Sequence, residues 1–161
     1  MDIDIYGVPK GLPRDLIAAA VMFSYEYYEL PDVISTTVQF NEKDEPYLAV
    51  AIWDEVELEA EIFVYDGMSA YDTVVTIFHE MCHVKQAWCE ELFVDIDAGI
   101  KEWLGVTYSY KDPDQPEYND LPWEQDANRH EKLAFEAFRK KIASYEPSLL
   151  TLLSESDIVV S

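Results

Sequence analysis

Cationic residues are scarce in this chain. Its 161 residues include 11 lysines and arginines against 33 aspartates and glutamates, a net charge of −22. A chain this acidic repels nucleic acids and anionic membrane surfaces, so we expect neither as a partner. The charge fits simple solubility, attraction of basic partners, or imitation of a nucleic acid. It restricts what the protein associates with and leaves its chemistry open.

Long apolar runs and cysteines are scarce too. No stretch of about 18 apolar residues predicts a membrane-spanning helix, and the acidic start MDIDIYGVPKG lacks the pattern of a signal peptide. The two cysteines, Cys82 and Cys89, lie on one predicted helix, about 10 Å apart along its axis. Because that distance is too long for a disulfide, we expect reduced thiols and a cytoplasmic protein.

Hydrophobic periodicity predicts an α+β fold in a single domain, residues 1–161. The predicted helices cover 14–30, about 71–93 and 123–145, and the predicted strands cover 33–40, 47–53 and 56–65. In the last strand apolar residues alternate with Glu57, Glu59 and Glu61, which is typical of a half-buried antiparallel strand with one acidic face. The order indicates helices on one face of a small, mainly antiparallel three-stranded sheet.

Two segments carry no clear periodicity. Residues 95–122 are predicted to form a long loop rich in Asp, Pro, Gly and Tyr, and a loop of this length in a small domain is usually functional or contains short elements. Residues 146–161 form a C-terminal tail after the last helix.

The stretch TIFHEMCHVKQAW, residues 76–88, contains two of the three histidines of the chain in the pattern H-E-x-x-H. Residues four apart share a helix face, so His79 and His83 lie together, beside the apolar stripe formed by Val74, Phe78, Met81, Cys82, Trp88, Cys89 and Leu92. Two imidazoles one turn apart can occupy two corners of a tetrahedral Zn²⁺ site. Glu80 is then placed to accept a proton from water at the open corner. An ordinary solvated helix face is the alternative.

A catalytic zinc site needs a third protein ligand. In the last helix, Glu124 lies in line with the apolar stripe of Phe135, Phe138 and Ile142. A glutamate in such a stripe is costly unless it is paired or bound to a metal. Glu124 is therefore our predicted third ligand. The alternative is a first-turn glutamate that interacts favourably with the helix dipole.

Three further residues of the same helix carry side chains that are relevant to the site. Asn128, one turn after Glu124, is predicted to hydrogen-bond the free ring nitrogen of a ligating histidine and to fix its tautomer. Glu131 is the second candidate for a supporting role of this kind. Asp126 lies on nearly the opposite side of the helix, and we expect it to be a solvated surface charge.

These motifs resemble those of a known family. HEMCH with EQDAN in a later helix is similar to the gluzincin metallopeptidases, and VKQ (84–86), WLG (103–105) and PWE (122–124) are similar to small metallopeptidases encoded by bacteriophages. The resemblance covers roughly residues 60–138 and implies a minimal zincin-like fold. It implies His79, His83 and Glu124 as zinc ligands, Glu80 as general base and Asn128 in support, in a host cytoplasm if the source is a phage.

The implied function is zinc-dependent hydrolysis of peptide bonds. Candidate groups for stabilising the oxyanion are Tyr108, Tyr110, Tyr118 and His130. The strand at 56–65 is expected to bind an extended peptide at its edge, with a preference for basic segments. Two alternatives remain: an acidic, non-enzymatic binding protein that imitates DNA, and a domain whose metal is structural or regulatory, with the loop 95–122 covering the site.

Overall fold

The computed structural model describes residues 1–42 and 47–153, and within them the predicted α+β fold is confirmed. The turn predicted over 41–46 lies partly, and the tail after Leu153 wholly, outside the described residues. The helices are α1 (Arg14–Tyr27), α2 (Ala70–Trp88) and α3 (Pro122–Tyr145), with 3₁₀ turns at Tyr118–Asp120 and Pro147–Leu153. The strands are β1 (Asp2–Tyr6), β2 (Ser35–Asn41), β3 (Ala49–Asp54), β4 (Glu59–Tyr65), β5 (Leu92–Asp95), β6 (Ile100–Trp103) and β7 (Val106–Ser109). None of the helices in these residues is long and apolar enough to cross a membrane.

The main sheet has four strands in the order β1-β2-β4-β3, and it is more parallel than the sequence predicts. β1 is not predicted from the sequence, because this strand has only five residues and two of them are aspartates. It pairs in parallel with β2, which pairs in parallel with β4, and only β3 is antiparallel. The parallel arrangement is possible because α1 connects β1 to β2 as a crossover.

β4 keeps the predicted alternation, with Ala60, Ile62 and Val64 buried and Glu59 and Glu61 exposed. It begins three residues later than predicted, because the chain turns at residues 55–58 and Leu58 takes a left-handed φ of 54°. β4 lies between β2 and β3, so the prediction that its edge is free to bind a peptide is wrong. The edge strand on this side is β3.

α1 and α2 pack against this sheet, and α3 packs against these two helices, around an aromatic centre. The Phe78 ring of α2 lies 5.8 Å from Phe23 of α1 and 5.3 Å from Phe138 of α3, and the last two rings are 5.4 Å apart. Tyr28 adds a hydrogen bond of 2.9 Å from its hydroxyl to the carbonyl of Phe78. Because Phe78 directly precedes His79, this packing fixes the part of α2 that carries the H-E-x-x-H residues.

α2 ends earlier than predicted. Glu90 takes a left-handed φ of 58°, and the Glu91 N–H donates to the carbonyl of Gln86 at 2.8 Å, which closes the helix after Trp88. The first part of the predicted apolar stripe is buried, but Trp88 and Cys89 are exposed at the helix end. Both cysteines are free thiols, Cys82 buried and Cys89 exposed.

The region predicted as a long loop is partly ordered into a second sheet. β5, β6 and β7 form an antiparallel sheet in that order. Leu104 and Gly105, both with positive φ, make the two-residue turn between β6 and β7. The strands have four residues each, which is too short for a periodicity to be recognised. Along the chain, these three strands lie between α2 and α3, the helices that carry the two motifs.

Candidate metal centre

α2 presents both histidines on one flank. The helix begins at a capping residue, Ser69, whose hydroxyl accepts the N–H of Asp72 at 3.1 Å. The side chains of His79 and His83 are 14% exposed, so they lie beside the core and retain access to solvent. Their Nε2 atoms point toward each other and are 3.2 Å apart.

α3 brings Glu124 to the same place. Pro122 occupies the first turn of the helix, as predicted, and the Glu124 side chain is only 5% exposed. One carboxylate oxygen lies 2.9 Å from His79 Nε2, and the other lies 3.2 Å from His83 Nε2. The three side chains therefore converge on one point from two helices.

This His-His-Glu group is positioned to bind a metal ion. A tetrahedral zinc ion with ligand bonds of about 2.0–2.1 Å separates its ligand atoms by about 3.3–3.4 Å. The distances of 2.9–3.2 Å among the three residues need to widen by only a few tenths of an ångström. Two imidazoles and a carboxylate leave one corner of a tetrahedron open, and this donor set suits zinc among other divalent ions.

Without a metal, the cluster is held together by charge. Burial lowers the pKa of His79, but hydrogen bonds to Glu124 and Glu131 outweigh burial and raise it to about 10. Burial likewise raises the pKa of Glu124, but the hydrogen bond from His79 and the nearby imidazole of His83 hold that pKa well below its usual range. In the metal-free protein near neutral pH, a proton on His79 thus balances the buried carboxylate.

The outward ring nitrogens have partners that the sequence predicted only in part. His79 Nδ1 lies 2.8 Å from a carboxylate oxygen of Glu131, and His83 Nδ1 lies 2.7 Å from Oε1 of Gln86. Glu131 and Gln86 therefore occupy the hydrogen-bonding positions at the two Nδ1 atoms, one of which was predicted for Asn128. Seven residues along a helix bring the chain back to within about 20° of its starting direction, and four residues to about 40°, so Glu131 follows Glu124 more closely than Asn128 does.

Two residues near the centre were misjudged or missed. Asp126, predicted to be a solvated surface charge, is largely buried and accepts a 2.9 Å hydrogen bond from Gln86 Nε2 and one of 3.0 Å from Arg129. Gln86 is fully buried, and it entered the sequence analysis only as the last residue of the VKQ run, with no role predicted for it. Its position three residues after His83 was the available signal, since residues three apart are neighbours on a helix.

Glu80 is buried against the edge strand. It is 7% exposed, and its carboxylate accepts a hydrogen bond from the backbone N–H of Ala51 in β3. Burial raises the pKa of the Glu80 carboxyl, while the nearby His83 and His79 oppose this rise. The predicted general base is thus held by the sheet.

A cleft of about 520 Å³ opens beside these residues. His79, Glu80 and Glu131 lie on one side, Tyr47, Leu48 and Ala49 on another, and Thr76, Tyr118 and Asn119 complete the lining. Burial raises the pKa of the Tyr118 hydroxyl, and proximity and a hydrogen bond to Glu124 raise it further. Tyr118 is therefore the predicted oxyanion candidate that the structure brings to the cleft.

The other three oxyanion candidates have different surroundings. Tyr108 packs edge-on against Trp123, with ring centroids 5.2 Å apart, and Tyr110 lies near the ammonium group of Lys101. His130 packs against Tyr27 and Tyr28, and its Nε2 lies 3.5 Å from Asp126. None of the three lines the cleft described above.

Comparisons with known proteins give no independent assignment: no family model, curated protein or solved structure matches the chain.

Proposed function

We propose that the protein is a zinc-dependent peptidase, as the motif resemblance implies. The observation that supports this most strongly is that His79, His83 and Glu124 converge beside Glu80 at a cleft large enough for a substrate segment. A structural zinc site is typically closed by four protein ligands, whereas a catalytic site has three and an open corner. The cleft favours the open, catalytic kind of site over the structural one.

The residues divide the chemistry among them. His79, His83 and Glu124 would hold the zinc ion, which would supply Lewis acidity for a water and for the carbonyl of the peptide bond. Glu80 accepts the proton of the attacking water and delivers it to the leaving amine. Its buried carboxylate, with a raised pKa, is suited to both steps, because a base must also give the proton back. Tyr118 donates a hydrogen bond to the oxyanion from across the cleft.

The substrate is proposed to lie along β3. The Tyr65 N–H donates to the carbonyl of Leu48, so Leu48 pairs toward β4. Because orientation alternates along a strand, the backbone groups of Ala49 and Ala51 point to the open edge. The N–H of Ala51 is used by Glu80, which leaves Ala49, in the cleft lining, to hydrogen-bond an extended peptide.

Charge in the cleft suggests a preference for basic peptide segments. Glu80 and Glu131 line it, Glu124 lies behind them, and no lysine or arginine is among the lining residues that the structure describes. Cleavage of lysine- and arginine-rich peptide pools is expected to exceed that of matched aspartate- and glutamate-rich pools. Equal rates would contradict the preference and leave the peptidase proposal standing.

Metal content and one matched pair of variants test the proposal. Elemental analysis of gently purified protein is expected to find about one zinc per chain. Glu80→Gln should retain zinc and lose about 10²- to 10⁴-fold in peptide hydrolysis, the usual contribution of a general base. Glu61→Gln, on the exposed face of β4, is the control and should retain both. Absence of zinc binding, or equal hydrolysis by Glu80→Gln and wild type, would refute the proposal.

The acidic binding protein remains a second candidate, on a separate observation. On the sheet face away from the helices, Asp2, Glu59 and Asp54 lie in one row, with Asp4 and Glu61 in the next. The four strands of this sheet contain no lysine or arginine. Salt-sensitive binding to a lysine-rich peptide that persists in chelator, together with no hydrolysis, would favour this function.

A further inference from the structure

The side chain of Gln86 lies at the contact between the two helices that supply the metal ligands. It is fully buried, and its amide meets three nitrogen or oxygen atoms and, at 3.8 Å, the sulfur of Cys82. Oε1 lies 2.7 Å from His83 Nδ1, and Nε2 lies 2.9 Å both from the carbonyl oxygen of Trp123 and from a carboxylate oxygen of Asp126. These contacts satisfy both ends of the amide.

The partners leave only one orientation for this amide. The Trp123 carbonyl and the Asp126 carboxylate can only accept hydrogen bonds, so the NH₂ group of Gln86 must face them. The amide oxygen then faces His83, and the Nδ1 atom of His83 must carry the hydrogen that is donated to it. A neutral imidazole with a proton on Nδ1 has its lone pair on Nε2, which is the nitrogen that points to Glu124 and His79.

We propose that Gln86 is a positioning residue that holds His83 in the metal-binding tautomer and fixes α2 against the first turn of α3. The inference rests on the metal site of the proposed function. Trp123 directly precedes Glu124, so the bond from Gln86 to the Trp123 carbonyl fixes the backbone next to the third ligand. One side chain thereby couples a histidine ligand on one helix to the carboxylate ligand on the other.

Asp126 supports this arrangement from the far side. Its second carboxylate oxygen accepts a hydrogen bond of 3.0 Å from Arg129, which keeps the first oxygen directed at Gln86. The two histidines are therefore supported differently: His79 by the carboxylate of Glu131, and His83 by a neutral amide. Of these two supporting residues, only Gln86 also hydrogen-bonds the backbone next to Glu124, at the Trp123 carbonyl.

The test replaces Gln86 by methionine, which has similar length and no hydrogen-bonding amide. Zinc affinity of the full chain is measured by competition with a chelator, and loss of such a supporting partner is expected to cost about 10- to 100-fold. Gln125→Met, an exposed glutamine on α3, is the control and should bind zinc like wild type. Unchanged zinc affinity in Gln86→Met would overturn the inference.

A spectroscopic measurement separates positioning from mere stability. Nitrogen-15 spectra of the imidazoles in the metal-free protein, recorded over a series of pH values, should show the proton of His83 on Nδ1 in wild type and a mixture with Nε2 in Gln86→Met. The same tautomer mixture in both proteins would refute the inference, whatever their stability. This measurement needs no metal, so it decides the role of Gln86 even if wild type binds no zinc and the proposed function fails.

A milder pair of variants guards against a Gln86→Met protein that does not fold. Asp126→Asn keeps an acceptor oxygen for the Gln86 amide and should retain the wild-type tautomer and zinc affinity. Asp126→Ala removes one of the two anchors of that amide and should weaken zinc binding less than Gln86→Met does. Equal zinc affinity and equal spectra for Asp126→Ala and wild type would contradict the proposed support.

Discussion

Replacing His79 by glutamine should remove a pH-dependent contribution to the stability of the metal-free protein. The folded protein raises the pKa of His79 from 6.5 to about 10. A group with a raised folded pKa stabilises the fold fully below its unfolded pKa, and the contribution disappears as pH rises through the folded value. The wild-type protein in chelator should therefore lose stability between about pH 6.5 and 10, a window set by the two values for His79. The lowered pKa of Glu124 arises from the same ion pair with His79, so it adds no separate contribution to the stability.

The size of the effect follows from these two values. Between about pH 6 and pH 9 the linkage relation gives a loss of about 3 kcal/mol as an upper limit. The cluster borders an open cleft, and water there weakens its charge interactions. We therefore expect a loss of about 1.5 kcal/mol in the free energy of unfolding.

Urea unfolding in chelator at about pH 6 and pH 9, for wild type and His79→Gln, measures this loss. Subtracting the pH dependence of the variant removes the contributions of the other groups that titrate in this range. Glu131→Gln, which removes one of the two carboxylates on His79, should reduce the effect without abolishing it. If wild type and His79→Gln show the same pH dependence, the charged cluster does not exist in the metal-free protein.

Three further predictions concern the cleft, the core and the thiols. Tyr118→Phe should lower kcat by about 10- to 1,000-fold with little change in KM, because it removes a donor to the oxyanion; an effect on KM alone would assign Tyr118 to substrate binding instead. Phe138→Ala should lower the free energy of unfolding by about 3–5 kcal/mol, because its 2%-exposed ring closes the aromatic centre behind α2. A cost below about 1 kcal/mol in urea unfolding would contradict that packing. Cys89 is exposed and Cys82 is buried, with its thiol pKa raised by burial, so a thiol reagent should modify one cysteine in the native protein and both in denaturant. Rapid native modification of Cys82 would show that α2 opens.

The helices and the grouping of His79, His83 and Glu124 were predictable because their signals are local. His79 and His83 share a face of any α-helix that contains them, and Glu124 stands out because a glutamate aligned with Phe135 and Phe138 needs a partner. The sheet was predicted less well because pairing depends on distant residues. Nothing local in Asp2–Tyr6 indicates that it joins β2 in parallel, and strands of four residues, such as Ile100–Trp103, show too little alternation to be recognised.

The partners of the histidines mark the limit of sequence reasoning at this site. Helical spacing places Asn128 and Glu131 on the face of Glu124 and Asp126 on nearly the opposite one, and it does not show which of them meets a histidine or Gln86. The choice depends on how α3 is rotated against α2, and that rotation is set by the contact of Phe138 with Phe78, 5.3 Å between ring centroids. The same rotation turns Asp126 inward to Gln86. In a chain with 33 acidic residues, core packing decides which carboxylates lie beside the candidate metal centre.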